Sequence, residues 1–171
     1  MTIGVAGIGG LGHMAIKLAV AKGAEVIAFT TSPSKVADIL RFGAKEVVVV
    51  DDISKLKKYE HTLDCMISTI PAKYNIDAYL PMVKRNATYT QVGIGAKDLS
   101  LNMAAFTNSR VNFIGSLIGG IAETQRVIDF CALNNIAPKI ELINIKDINE
   151  THNKVVDKKA RYRYVIDMAT L

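Results

Sequence analysis

Three glycines, Gly7, Gly9 and Gly12, stand in the order G-x-G-x-x-G between a short apolar run and an apolar stretch at helical spacing. Each position has a steric reason. Gly7 permits a tight turn off a strand, Gly9 lets the backbone come close to a pyrophosphate, and Gly12 allows a helix to pack tightly on that strand. With Ile8, Gly10 and Leu11 between them they form a loop whose N–H groups would face an anion, at the positive end of the dipole of a helix over residues 11–22. A second strand over 25–29 follows, as a βαβ unit demands. The context predicts dinucleotide binding rather than a merely flexible turn.

The residue at the end of the second strand selects the cofactor. An Asp or Glu about 20 residues beyond the glycines would bond a ribose 2′-hydroxyl and repel a 2′-phosphate. Here the strand runs out as Phe29-Thr30-Thr31-Ser32, Glu25 stands at its wrong end, and the next acid is Asp38. The hydroxyls of Thr30, Thr31 and Ser32 and the cation of Lys35 are what a phosphate needs, which predicts NADP(H) over NAD(H). The plainer alternative is that Ser32 only caps its helix and Lys35 is a solvated lysine.

No catalytic or metal-ligating group accompanies this site. Tyr59, Tyr74, Tyr79, Tyr89, Tyr162 and Tyr164 all lack a lysine four residues later, the pair that short-chain reductases use. His13, His61 and His152 have no cysteine or second histidine at ligand spacing. Cys65 and Cys131 make neither a zinc spacing nor a disulfide framework, and read as small buried hydrophobes.

The elements that must hold the loop alternate in type. Strands are expected over 2–6, 25–29, 47–50, 63–70, 87–92 and 111–118, with Pro71 stopping the fourth and Gly93 and Gly95 closing the fifth. Helices are expected over 11–22, then from Ser32-Pro33 to Gly43 with Val36, Ile39 and Leu40 inward, and over 75–84. Residues 99–106 are apolar without clear periodicity. Beyond the glycines at 119–120 come a helix over 122–133, a strand over 140–143, a helix over 148–157 and a strand over 163–167. Strands alternating with helices to residue 118 mean an α/β, doubly wound parallel sheet of the Rossmann type over 1–119. Residues 120–171 form a smaller α+β segment.

Composition agrees with a soluble globular protein: half of the 171 residues are hydrophobic and 22% are charged. No apolar run is long enough for a bilayer, and the N-terminus shows no signal-peptide pattern, so the cytoplasm is expected. The net charge of +5 is scattered among acids, and even the basic stretch 154–163 is interrupted by Asp157, which argues for an anionic cofactor and against a nucleic-acid surface.

The glycine loop with His13-Met14, and the stretch Val26-Ile27-Ala28-Phe29-Thr30-Thr31-Ser32-Pro33-Ser34-Lys35, closely resemble the cofactor domain of zinc-dependent, NADP-linked alcohol dehydrogenases of the medium-chain dehydrogenase/reductase superfamily. The cinnamyl alcohol dehydrogenase and aldehyde reductase branch is nearest. Residues 80–84 with Val92-Gly93, 115–120 with Glu123-Thr124-Gln125, and 161–167 extend the likeness over almost the whole chain. The resemblance implies that Gly7, Ile8, Gly9, Gly10, Leu11 and Gly12 hold the pyrophosphate, and that Thr30, Thr31, Ser32, Pro33, Ser34 and Lys35 hold the adenosine 2′-phosphate. It implies that Thr69 and Gly93 border the nicotinamide ribose, that Ser116, Leu117 and Ile118 line the nicotinamide, and that Arg163 reaches a cofactor phosphate. Many relatives carry a basic residue where Thr31-Ser32-Pro33-Ser34 stands, so a weaker grip on the 2′-phosphate is expected.

The family also has an N-terminal catalytic domain with zinc ligands, which has no counterpart in these residues. The chain therefore resembles the later half of such an oxidoreductase, with 120–171 completing the catalytic domain. It is expected to bind NADP(H) without turning over an alcohol or aldehyde by itself, and to leave apolar surface for a partner chain carrying the other half or for a second copy. The homodimer implied by the family would form edge to edge through 99–106 and 111–117. The rival reading is a stand-alone NADP(H)-sensing regulatory module. A methyltransferase is disfavoured because its glycine loop also expects an acid after the second strand.

Overall fold

A computed structural model describes residues 1–94, 99–157 and 159–171. The expected closure at Gly95 lies outside the described residues. Six parallel strands form one sheet: β1 (Thr2–Ala6), β2 (Glu25–Thr30), β3 (Glu46–Val49), β4 (Leu63–Ser68), β5 (Val83–Gln91) and β6 (Asn112–Gly115). Their spatial order is β3-β2-β1-β4-β5-β6, so the chain starts in the middle, winds one way to β3 and returns to wind the other way. The reversal falls between β1 and β4, and all the carboxyl ends lie on one rim.

Alternate residues of the central strands feed two cores, because successive strand side chains point to opposite faces. Val5, Val26 and Ala28 join Ile16 of α1 (Gly12–Ala21) and Ile39 of α2 (Val36–Arg41) on one face. Ala6, Ile27 and Phe29 join Met66, Leu63 and Tyr89 on the other.

Three local expectations need correction. The helix over 75–84 is only one turn, α3 (Ile76–Tyr79), followed by a 3-10 turn (Leu80–Met82), and Val83 already belongs to β5. Pro81 accounts for the stop, since it donates no N–H and clashes with the preceding turn. Most of the stretch 99–106 is not sheet edge: α4 (Met103–Ser109) starts there, with Asn102 Oδ1 accepting from the Ala105 N–H at 3.1 Å. At this end of the sheet the edge strand is β6. In the second helical segment a 3-10 turn (Pro33–Lys35) precedes α2, Ser32 makes no side-chain cap, and Leu40 faces solvent while Asp38 faces inward.

Beyond β6 lie α5 (Ile121–Leu133), β7 (Ile140–Asn144), α6 (Ile148–Val156) and β8 (Arg163–Asp167), with β7 and β8 paired in parallel. This segment is thinly covered: Ile121, Val127, Ile128, Leu133 and Leu142 are all exposed. Cys65 and Cys131 are half-buried rather than buried.

The segment is tied to the sheet at Tyr162, which is buried in the α1/α2 core. Its ring stacks on His13 at 5.1 Å and meets Phe42 edge-on at 5.2 Å. Its hydroxyl donates to Asp38 Oδ2 at 3.2 Å, while Lys139 Nζ reaches Asp38 Oδ1 at 3.0 Å and Arg41 also pairs with it. A buried carboxylate is tolerated because it is this well paired. The Lys139 bond, then Arg41, holds the Asp38 carboxyl down at about 2. A depressed carboxyl pKa stabilises the fold above the ordinary value and loses that contribution as pH falls through the folded one. Asp38→Asn should therefore cost about 2 kcal/mol in urea unfolding at pH 7. That difference should shrink between about pH 4 and pH 2. A deficit that does not change with pH would show that the charge is not what matters.

Candidate dinucleotide site

Because every strand of the main sheet is parallel, the segments singled out in the sequence leave it on the same rim: 7–12 after β1, 30–35 at the end of β2, Thr69 after β4, Gly93 after β5 and 116–118 after β6. Backbone bonds lace these exits together. The Gly7 N–H donates to Phe29 O at 3.1 Å, Thr69 N–H to Ala6 O at 2.8 Å, Gly93 N–H to Ser68 O at 3.1 Å and Ser116 N–H to Gln91 O at 3.0 Å.

The glycines differ in what forbids a side chain. Gly7 has φ +83°, and a Cβ there would meet the backbone N of Ile70 at 2.9 Å. At Gly12 a Cβ would fall 2.2 Å from the Gly7 carbonyl oxygen, so α1 could not sit where it does. Thr69 closes the same corner, its hydroxyl donating to Gly7 O. Gly93 is equally constrained, at 2.4 Å from Ile70 O. Gly9 is the exception, since a Cβ there would find nothing within 4 Å. Packing inside the protein gives no reason for glycine at position 9, whereas a ligand approaching the backbone does. Ile8 is buried, Leu11 is exposed, and Gly10 lies under the Tyr162 carbonyl.

After β2, the Thr30 hydroxyl is buried and accepts from the Ser32 N–H at 3.1 Å. Thr31, Pro33 and Ser34 are exposed and Ser32 is half-buried. Lys35 is not a freely solvated lysine. Its Nζ donates to Ile8 O at 2.8 Å and lies 5.5 Å from the centre of the Tyr162 ring. Burial, then the neighbouring Arg161, pulls its pKa down. The cation is thus held between the glycine loop and the turn after β2. Asp38, the next acid, is committed to Lys139, Arg41 and Tyr162.

At the other end of the rim, Ser116, Leu117 and Ile118 are exposed, with Ile118 at 90%. Arg163 is exposed at the start of β8, close enough to act electrostatically on His13 in the first turn of α1.

Other side chains prove to support this rim. His13 Nδ1 lies 3.0 Å from Gly9 O, and its Nε2 takes the Lys139 N–H at 3.3 Å. Those two partners require the neutral tautomer protonated on Nδ1, and burial pulls the imidazole pKa down accordingly. Beneath β5, the Tyr74 hydroxyl donates to Gln91 Oε1 at 2.7 Å and lies 2.8 Å from the Tyr89 hydroxyl, while Gln91 Nε2 donates to Gly93 O at 2.7 Å. The only sequence signals for these residues are a polar side chain in an apolar run at His13 and Asp38, and an aromatic between two arginines at Tyr162.

Among the described residues no three His, Cys, Asp or Glu side chains converge to hold a metal ion. The described residues do not fit a zinc site. No helix among them is long and apolar enough to cross a membrane. A surface hollow of about 350 Å³ lined by Glu46, Ser54, Lys55 and Tyr59 lies beside β3 at the sheet edge and is no part of this rim.

Substitution should separate the two kinds of glycine. Gly12→Ala should lower stability by about 1–3 kcal/mol, as a forced backbone contact does. Gly9→Ala should stay within about 0.5 kcal/mol of the unaltered chain. Equal melting temperatures for the two variants would contradict this.

Comparison with known proteins agrees with the geometry. A family model described as zinc-binding dehydrogenase matches residues 10–133. The chain is 41% identical over 170 residues to the aldehyde reductase YahK of Escherichia coli, covering 99% of this chain and 49% of that protein. It is 37% identical over 169 residues to an NADP-dependent alcohol dehydrogenase C of Mycolicibacterium smegmatis, again covering 99% of this chain and 48% of the relative. Among solved structures, a cinnamyl alcohol dehydrogenase from Sorghum bicolor superposes with a TM-score of 0.94 at 32% identity, over 98% of this chain and 48% of that one. The CAD of Helicobacter pylori, solved in complex with NADP(H), gives 0.87 at 40% identity over the same shares. The chain spans about half the length of these relatives. With the glycine loop, the sheet order and this coverage in agreement, the chain belongs to the zinc-binding dehydrogenase family.

Proposed function

We propose that the chain is the NADP(H)-binding portion of a zinc-dependent alcohol dehydrogenase or aldehyde reductase. The observation that carries the reading is the end of β2, where exposed hydroxyls and the half-buried Lys35 stand in place of an acid, against an open Gly9. The nicotinamide of NADP(H), when bound, exchanges a hydride with the carbon of an alcohol or aldehyde. The chain's own residues bind and orient: 7–12 offer backbone N–H groups to the pyrophosphate, Thr31, Ser32, Ser34 and Lys35 take the 2′-phosphate, and Arg163 meets a cofactor phosphate. Thr69 and Gly93 define the floor beside the nicotinamide ribose, and Ser116, Leu117 and Ile118 wall the nicotinamide. The relatives support this reading through their printed cofactor and substrate classes.

The alcohol- or aldehyde-binding side and its zinc lie, in this reading, in the half of the relatives that these residues do not match. The exposed apolar side chains of β6 and α5 suit a homodimer along the β6 edge or a chain carrying that other half.

Calorimetric titration tests the cofactor assignment. NADPH should bind the purified chain, NADH should bind at least about tenfold more weakly, and an aldehyde with NADPH should not turn over. Thr31→Asp, which sets a carboxylate just past β2, should reverse the preference. Equal affinity for the two cofactors, or steady turnover, would sink the assignment.

A further inference from the structure

The turn after β2 meets a second cation that does not come from the nucleotide-binding unit. Arg161 belongs to the C-terminal segment, yet its guanidinium donates to Ser34 O at 3.2 Å and to Ser34 Oγ at 2.9 Å. It stands next to Lys35, close enough for the two like charges to disfavour each other. Such a pair needs an anion to be held together without cost.

The nearby carboxylate does not supply it. Asp38 lies 3.8 Å from Arg161, but it is already met more closely by Lys139, Arg41 and the Tyr162 hydroxyl. Three cations thus gather around one acid, and Lys35 has no acidic partner among the described residues. The donors that remain belong to the turn after β2 or are bonded to it. The Ser34 hydroxyl accepts from Arg161 and so is free to donate its own hydrogen, Lys35 keeps ammonium hydrogens beyond the one given to Ile8 O, and Arg161 keeps further N–H groups. A serine hydroxyl, an ammonium and a guanidinium at one exposed turn are the donor types that a phosphate dianion takes.

We infer that Arg161 is a specificity-determining residue for the cofactor's 2′-phosphate, delivered to the end of β2 by the C-terminal segment that Tyr162 pins in place. The inference rests on the NADP(H) reading above. It also supplies the basic group that the turn 31–34 lacks. Arg161 acts on the adenosine end only, so it contributes to the choice between cofactors and not to hydride chemistry.

The test compares 2′,5′-ADP with 5′-AMP, which differ by the 2′-phosphate alone, by calorimetry on the full chain. Arg161→Gln should weaken 2′,5′-ADP by at least about tenfold and leave 5′-AMP within about twofold. Lys84→Gln, whose partner Asp64 lies on β4 near the opposite rim, removes the same charge and should change neither. On the unaltered chain, 2′,5′-ADP should shield Arg161 from phenylglyoxal, read by mass spectrometry, while 5′-AMP should not; this arm needs no variant to fold. Equal weakening of both nucleotides by Arg161→Gln, no weakening, or equal shielding by both would overturn the inference while leaving the cofactor reading intact. Failure of the unaltered chain to bind either nucleotide would overturn that reading, and this inference with it.

Discussion

Helix α1 can approach the end of β1 only because position 12 carries no side chain. The Gly7 carbonyl lies where the first carbon of any other residue would go, and the Thr69 hydroxyl fills the same corner from β4. That approach brings the first turn of α1 over the rim at the point where the strand order reverses, so an anion there meets backbone N–H groups that no side chain shields. The neighbouring exits inherit their places from it, through the bonds from Gly7 to β2, Thr69 to β1 and Gly93 to β4.

A second constraint joins the two parts of the chain. Tyr162 is an aromatic plug whose ring is shared by His13 and Phe42 and whose hydroxyl ends on a carboxylate inside the first core. Of the residues on either side of it, Arg161 bonds Ser34 in the turn after β2, and Arg163 lies near enough to His13 in α1 to act on it electrostatically. In the proposed reading the nucleotide site thus extends beyond the βαβ units. The polar chain from Tyr74 through Gln91 to Gly93 does for β5 what Thr69 does for β1: it fixes a backbone corner from below.

Much of this was legible in the sequence because it is local. A strand of apolar residues, a glycine at each steric bottleneck and hydroxyls where an acid is usual are short-range patterns, and they located β1, β2, β3, β6 and the loop to within a few residues. The misreadings have equally physical causes. Residues 99–106 show no apolar period because α4 buries no side chain fully and packs only Phe106 partly against the core; the Asn102 cap marks its start. The hydrophobicity of Leu40 points it inward, but the inward place belongs to Asp38, whose burial depends on cations contributed from residues 139 and 161. Arg161 was legible only as part of a family stretch. Nothing within ten residues of it in sequence says that its partner is Ser34, and its function rests on a fold-wide encounter that periodicity cannot report.

The bond between Tyr162 and Asp38 joins residues 124 apart in the chain. Closing a flexible loop of that length costs about 4 kcal/mol of chain entropy by the logarithmic law, several times the cost of a tight turn. A sheet already assembled would shorten the effective loop and lower that cost. During synthesis the β1-α1-β2 unit is made before the tyrosine, 124 residues downstream of Asp38, that bonds into its core.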